Sequence, residues 1–561
     1  MTAQPPKGHF VQATMIVITA PPRPICPMGP TGPMQADGLF GLTCSIGLAG
    51  FCFLELLCDG GSLKIETHIL FWQPGRARKS VSHPPVACHQ QGSLKLFDHI
   101  IARDHSTNPI TITPIAEGDF QSWLSDQSET TKAWVAANGY EAKRGTQLAL
   151  PGTNGAFGSV LIGYVDDAKA IWDFAGLPTS LPEGVYGLSA SISDNAALYE
   201  KAALGLYLGG YRFDRYRKDD GKKDKRAKIA LHDNDATKRA ENVAHGIGLA
   251  RDLINIPAND MGPAELEAAA RTLGEEFGAK VSAIVGEELL KQNFPAIHTV
   301  GHGSDREPRL IDLVWGDENA PKITLVGKGV CFDTGGYDLK PSSNMLLMKK
   351  DMGGSAQVLG LARMIMAAKL PVRLRVLIPA VENMVSGRAY RPSDILQTRK
   401  GITVEVGNTD AEGRLVLSDA LTLAAAEDPE MLLDFATLTG AARVALGLGL
   451  PALFSNDDDL ANGLMENGLA LNDPLWRLPL WDDYRSQLDS KAADMNNISG
   501  SPFGGAIIAA LFLDRFAEGA KSWAHIDLMA WNPTDRPGRP TGGEAQGIRA
   551  AFKLIEDRFG K

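Results

Sequence analysis

From residue 322 onward, short apolar runs of β character alternate with amphipathic stretches of about 15 residues, and this alternation narrows the available folds more than any other feature. Lys322–Val326, Val372–Pro379 and Met431–Phe435 read as strands, with helices expected over Gly353–Lys369 and Glu412–Glu427 between them. That order predicts a largely parallel sheet covered on both faces. In such sheets chemistry collects in the loops beyond the carboxyl ends of the strands. A long helical pattern over Asp235–Leu253 runs into the Asn255-Ile-Pro-Ala-Asn259 loop. Further upstream, Ile110–Ile115 and Ser159–Val165 read as strands, and Asp119–Ala137 and Asp194–Leu208 as helices. The expected fold class is α/β: a small amino-terminal α/β domain over 93–216, a charged linker over 217–234, and a larger α/β domain over 235–561 with a central, largely parallel sheet.

The 561 residues carry 56 Lys and Arg against 66 Asp and Glu, a formal charge of −10, which argues against wrapping of nucleic acid. One basic stretch departs from that balance: Tyr211 to Ala230 holds nine Lys and Arg and four Asp, read first as solvated linker and second as a nucleic-acid patch. Five of the six cysteines fall in the first 88 residues, so no disulfide framework spans the main body. A reducing compartment fits, with Cys331 packed as a small hydrophobe. Residues 1–92 differ in texture. They are Pro-rich, then uncharged from Gly38 to Leu54, and are expected to be a poorly ordered extension or an overextended reading frame. A membrane span is opposed by the run's shortness and by Glu55 at its end, and a signal sequence by its depth in the chain.

Two loops meet the expectation for chemistry. One runs from Val326 through Lys328, Asp333, Gly335, Gly336 and Lys340 to Asp351 and Gly354; the other is Asn408-Thr-Asp410-Ala-Glu412-Gly-Arg414-Leu415. Together they supply four carboxylates and three basic groups. Unit charges about 4 Å apart interact by about 4 kcal/mol at an effective dielectric near 20. Something cationic must therefore sit among Asp333, Asp351, Asp410 and Glu412, and two divalent ions cancel their charge. The competing reading makes Asp351 and Asp410 helix caps. Signatures of zincins, serine hydrolases and P-loop proteins are missing from the sequence. His525 reads as a hydrogen-bonded core histidine.

NTDAEGRL at Asn408–Leu415, VGKGVCFDTGG at Val326–Gly336, MKKDMGG at Met348–Gly354, DFATLTGA at Asp434–Ala441 and WAHIDLMAW at Trp523–Trp531 resemble the leucyl aminopeptidase family, the M17 di-metal cytosol aminopeptidases. The likeness is strong from about His245 to Ala550 and fainter from Ser93 to Tyr216. It implies a cytoplasmic metalloexopeptidase that releases leucine and other apolar amino-terminal residues from short peptides, assembled as a homo-hexamer; the acidic charge and the short apolar run, not the resemblance, argue against nucleic acid and membrane as partners, since some relatives also contact DNA. Two Mn or Zn ions per subunit are implied, bridged by Asp333 and Glu412. Asp410 would complete one metal site, and Lys328 with Asp351 the other. Lys340 would steady the scissile carbonyl oxygen, and Arg414 would hold a bicarbonate ion as general base. Met348, Asn408, Ala411, Thr437, Leu438 and Gly440 would line the substrate pocket.

Overall fold

The computed structural model describes residues 96–560, apart from 104–107, 153–154 and 219–223, together with the backbone strands Leu42–Ile46, Gly50–Asp59 and Ser62–Phe71. Those three strands pair antiparallel in chain order. The reading of residues 1–92 as a poorly ordered extension otherwise lies outside the described residues. Among the described residues no helix is long and apolar enough to cross a membrane.

The smaller α/β part is built on a six-stranded sheet. Its spatial order is Ile100–Ala102, Lys228–Leu231, Val185–Leu188, Ile110–Ala116, Phe157–Tyr164 and Gln147–Pro151, all parallel except the last pair. Lys228–Leu231, assigned from sequence to the charged linker, is thus a strand of this sheet; Ile229 and Ala230 are buried in it, which a solvated linker would not allow. The helix expected over Asp119–Ala137 is two helices, Phe120–Ser125 and Glu129–Ala137. The break has a local cause: the Ser128 hydroxyl accepts from the Thr131 N–H at 3.2 Å and starts the second helix.

The larger part carries a nine-stranded sheet in the order Lys280–Val285, Arg309–Trp315, Arg373–Asn383, Lys322–Gly327, Met431–Ala436, Trp523–Asp527, Ala452–Ser455 and Trp476–Arg477, with Gly329–Asp333 also pairing against Arg373–Asn383. The four strands from Arg373–Asn383 to Trp523–Asp527 are parallel, and antiparallel pairs flank them on both sides. They are buried over all but the first residue of two of them because helices cover both faces. Gly353–Ala367 packs on one face beneath Asp235–Asn255; Glu412–Ala425 and Gly505–Ala517 cover the other. Ala196–Gly209 of the smaller part packs on Asp235–Asn255, so one apolar core runs through both parts.

Helix Gly353–Ala367 meets the sheet at closest range where it begins. A Cβ on Gly354 would lie 2.0 Å from the Phe435 carbonyl oxygen and 2.8 Å from the Lys328 nitrogen. Gly354→Ala is therefore expected to cost about 3 kcal/mol through overpacking against backbone. The check is the midpoint of urea unfolding, with Gly449→Ala, at a position with open space, staying within about 0.5 kcal/mol of the unsubstituted chain.

Candidate metal centre

Five segments deliver side chains to one edge of the large sheet. Lys328 directly follows strand Lys322–Gly327, and Asp333 ends Gly329–Asp333. Asn383 ends the neighbouring strand in register with Asp333. Thr437 and Leu438 follow Met431–Ala436, and Asp527 ends Trp523–Asp527. All are carboxyl ends of parallel strands, where the peptide chain leaves the sheet and side chains are free to converge. Asp351 comes from the 3-10 turn Met348–Met352, and Glu412 opens the helix Glu412–Ala425. Gly335 and Gly336 turn the chain back after Asp333 with φ of 87° and 64°, in the left-handed region that favours glycine.

The acids converge. Asp333, Asp351 and Glu412 are all buried, and one carboxylate oxygen from each lies within 4.8 Å of the others. Lys328 Nζ sits between two of them, 2.6 Å from Asp351 Oδ2 and 2.8 Å from Glu412 Oε1. Lys340 Nζ lies 2.8 Å from Asp333 Oδ2 and pairs also with Asp410. Asp410 stands at the rim with a third of its side chain exposed and joins the other acids through Lys340. Neither Asp351 nor Asp410 caps a helix: the cap positions are Met352 and Ala411, without side-chain cap bonds.

Burial, and next the nearby Asp333 charge, push the Glu412 carboxyl up to about 8; the same two causes push Asp410 up to about 6. Burial pulls the Lys328 amine down, but the charges of Asp351, Glu412 and Asp333 outweigh it, and the balance is upward. The cluster thus accepts positive charge and resists full ionisation without more of it. Glu412 Oε2 is buried with no hydrogen-bond partner, a free ligand atom in a donor set of carboxylates and one amine. These residues fit divalent ions.

A polar shell fixes the acids in place. Asn383 Nδ2 donates to Asp333 Oδ1 at 2.9 Å and to the Thr409 carbonyl at 3.0 Å, and the Gly335 N–H donates to the same Asp333 oxygen at 2.8 Å. Thr437 Oγ1 donates to Asp351 Oδ1 at 2.7 Å. Asn408 Oδ1 accepts from the Asp410 N–H at 2.7 Å. Arg414 is buried; its Nη1 donates to the Asn497 carbonyl at 2.7 Å while its Nε stays unpartnered. Met348 opens the turn that carries Asp351. Ala411 precedes Glu412, while Leu438 and Gly440 follow Thr437, with Gly440 exposed at the start of helix Gly440–Leu446.

Sequence reasoning passes over Asn383, Thr409, Asn497 and Asp338. The Asp338 carboxylate accepts the Thr409 N–H at 2.7 Å and so ties the two acidic loops together. Asn497 Nδ2 donates to the Asn408 carbonyl at 2.7 Å. Lone Asn and Thr residues in loops or at a strand end carry no periodic signal that would single them out. His525 is fully buried, 2.5 Å from Asp434 Oδ1 through Nδ1. Cys331 is also buried. In the basic stretch, Arg226 is buried and paired with Asp98 and Asp224, and Arg212 pairs with Asp224. Two of the four described arginines there are thus paired with acids, whereas Lys222 and Lys223 lie outside the described residues.

Comparison with known proteins follows the same division. The sequence profile of the cytosol aminopeptidase family's catalytic domain matches residues 248–552, and that of the M17 aminopeptidase N-terminal domain matches residues 110–231. A "Probable cytosol aminopeptidase" of Syntrophotalea carbinolica is 44% identical over 367 residues, 63% of this chain and 73% of that protein. Another, of Caulobacter vibrioides, is 40% identical over 440 residues, 76% and 87% of the two chains. The crystal structure of a cytosol aminopeptidase from Coxiella burnetii is 50% identical with a TM-score of 0.78, covering 82% of this chain and all of that one. The bottromycin maturation enzyme BotP in complex with Mn is 30% identical with a TM-score of 0.72, covering 81% of this chain and all of that one. The chain belongs to the M17 cytosol aminopeptidase family, whose members are metal-dependent exopeptidases acting on peptides.

Proposed function

We propose that this chain releases amino-terminal residues, leucine and other apolar ones preferred, from short peptides at a centre of two divalent ions, Mn or Zn. The observation that carries the reading is the convergence of buried Asp333, Asp351 and Glu412 around the amines of Lys328 and Lys340. Asp333 and Glu412 would be shared between the two ions, with Asp410 holding one of them and Lys328 and Asp351 the other. When bound, the ions would polarise the scissile carbonyl and make hydroxide available near neutral pH.

The side chains divide the remaining work. Lys328 serves as a ligand only as the neutral amine. Even from the ordinary value of about 10.4, lowering its pKa to 7 costs about 4.6 kcal/mol, the surrounding acids add to that, and a divalent ion in the proton's place would offset it. Lys340, at the mouth of the cluster, steadies the carbonyl oxygen as charge builds on it. Arg414, with its unpartnered Nε, is placed to hold a bicarbonate ion as general base. The substrate's free amine would approach Asp351, which restricts cleavage to the first peptide bond. Met348 and Leu438 offer apolar surface to the first side chain, and Asn408, Ala411, Thr437 and Gly440 complete the pocket wall. The proposed assembly is a homo-hexamer in the cytoplasm. Exposed apolar side chains such as Leu346, Val444 and Phe503 supply surface for it, and a buried Cys331 thiol suits a reducing compartment.

The test is hydrolysis of Leu-Gly and of leucine amide by the full chain with Mn or Zn. A chelator should abolish turnover, and either metal should restore it. Glu412→Gln should lower kcat/KM at least about 100-fold, a loss of about 2.7 kcal/mol of transition-state stabilisation. A metal-loaded chain that turns over neither substrate would end the proposal. Asn383→Leu, which removes the donors to Asp333 and to the Thr409 carbonyl, should weaken metal binding about 10- to 100-fold in a direct titration, with the fold kept.

A further inference from the structure

A second group of ligand-type side chains lies outside the carboxylate centre, beside the edge strand Lys280–Val285. Glu287 follows that strand by two residues, His298 lies in the helix Pro295–Gly301, and His302 caps the same helix. One ligand atom from each lies within 4.8 Å of the other two. The imidazoles stand at i and i+4, the spacing that puts two side chains on one helical face and suits chelation. Their rings stack with centroids 4.9 Å apart, and His298 Nε2 is 3.1 Å from Glu287 Oε1. His298 is nearly buried, whereas most of the Glu287 side chain is exposed, so the cluster has a fixed base and an arm free to close.

We infer that Glu287, His298 and His302 form a separate binding site for a divalent transition-metal ion such as Zn(II). Two imidazoles and a carboxylate are the ligands that Zn(II) and its neighbours take, with water filling the fourth position. Metal–ligand bonds near 2.1 Å need ligand atoms about 3.4 Å apart. Glu287 Oε1 already stands 3.1 Å from His298 Nε2, and its exposed arm leaves room to settle around an ion. A simple surface ion pair accounts for less: it uses one imidazole and leaves His302 stacked on it without a purpose. Among the described residues no lysine or arginine pairs with Glu287. A further carboxylate stands close by, since Glu307 Oε1 lies 2.6 Å from where a Cβ on Gly286 would project.

The helix carrying both imidazoles is held from beneath. Asp419 accepts the N–H groups of Ala296 at 2.9 Å and Ile297 at 3.2 Å, and also that of Arg399 at 2.7 Å. The ligands thus ride on an element anchored at its first turn, which keeps the geometry in place before any ion arrives.

The experiment dialyses the metal-free full chain against Zn(II) at fixed free concentration and measures the metal bound per chain. The unsubstituted chain should bind one more Zn(II) than His302→Gln. Glu287→Gln, a change on an exposed side chain that spares the fold, should weaken the extra ion at least tenfold. In an Asp351→Asn/Glu412→Gln background, which disables the carboxylate centre, X-ray absorption at the Zn edge should show two imidazole ligands on the remaining ion. Equal Zn(II) content in the unsubstituted chain and both single variants, or an edge spectrum without imidazole scattering, would overturn the inference.

Discussion

Mutual repulsion among Asp333, Asp351 and Glu412, buried together at the edge of one sheet, is the constraint on which the rest of the site depends. Carboxylates in that position ionise only if positive charge is brought among them, and the chain itself brings two amines. The arrangement stores an appetite for cations in the folded state. It also explains why so many uncharged donors gather there: Asn383 and the Gly335 N–H together satisfy Asp333 Oδ1, and Thr437 satisfies Asp351 Oδ1.

Those donors come from backbone that is hydrogen-bonded in or beside the sheet. Asn383 and Asp333 are opposite partners in paired strands, Lys328 N donates to the Phe435 carbonyl, and the Ser355 N–H donates to the Lys328 carbonyl. The loops meet through Asp338 and Thr409. A cluster supported this way holds its spacing because Asp333 and Asn383 belong to the sheet, Lys328 is bonded to it, and Asp351 and Glu412 start from the turn and helix packed on it, so the energy of convergence is met during folding and not when substrate arrives.

Much of this is legible in the sequence, and the limits have physical causes. The parallel heart of the large sheet shows as short apolar runs between helical periods, and the acidic loops show as an unusual density of charge interleaved with glycine. Its antiparallel margins, such as Lys280–Val285 with a half-exposed pattern, give no comparable signal. The strand Lys228–Leu231 hides behind a run of lysines and arginines because charge density masks four residues of β character. The break at Ser128 shows that one hydroxyl can end a helical period that composition would extend. Asn383, Asn497 and Asp338 escape because their importance arises only from what lies across from them. His298 and His302 have a recognisable spacing, yet the third ligand-type side chain joins them only through a turn.

The strand order of the large sheet has a temporal consequence. Trp523–Asp527 lies between Met431–Ala436 and Ala452–Ser455, both made earlier in the chain, and Asp527 then accepts the N–H groups of Leu438 and Thr439. On the ribosome the amino end emerges first, so the segment after Met431–Ala436 waits for a neighbour still inside the exit tunnel. A nascent copy therefore holds the loop after Met431–Ala436 without its anchor until Trp523–Asp527 has left the tunnel and inserted between two strands already made.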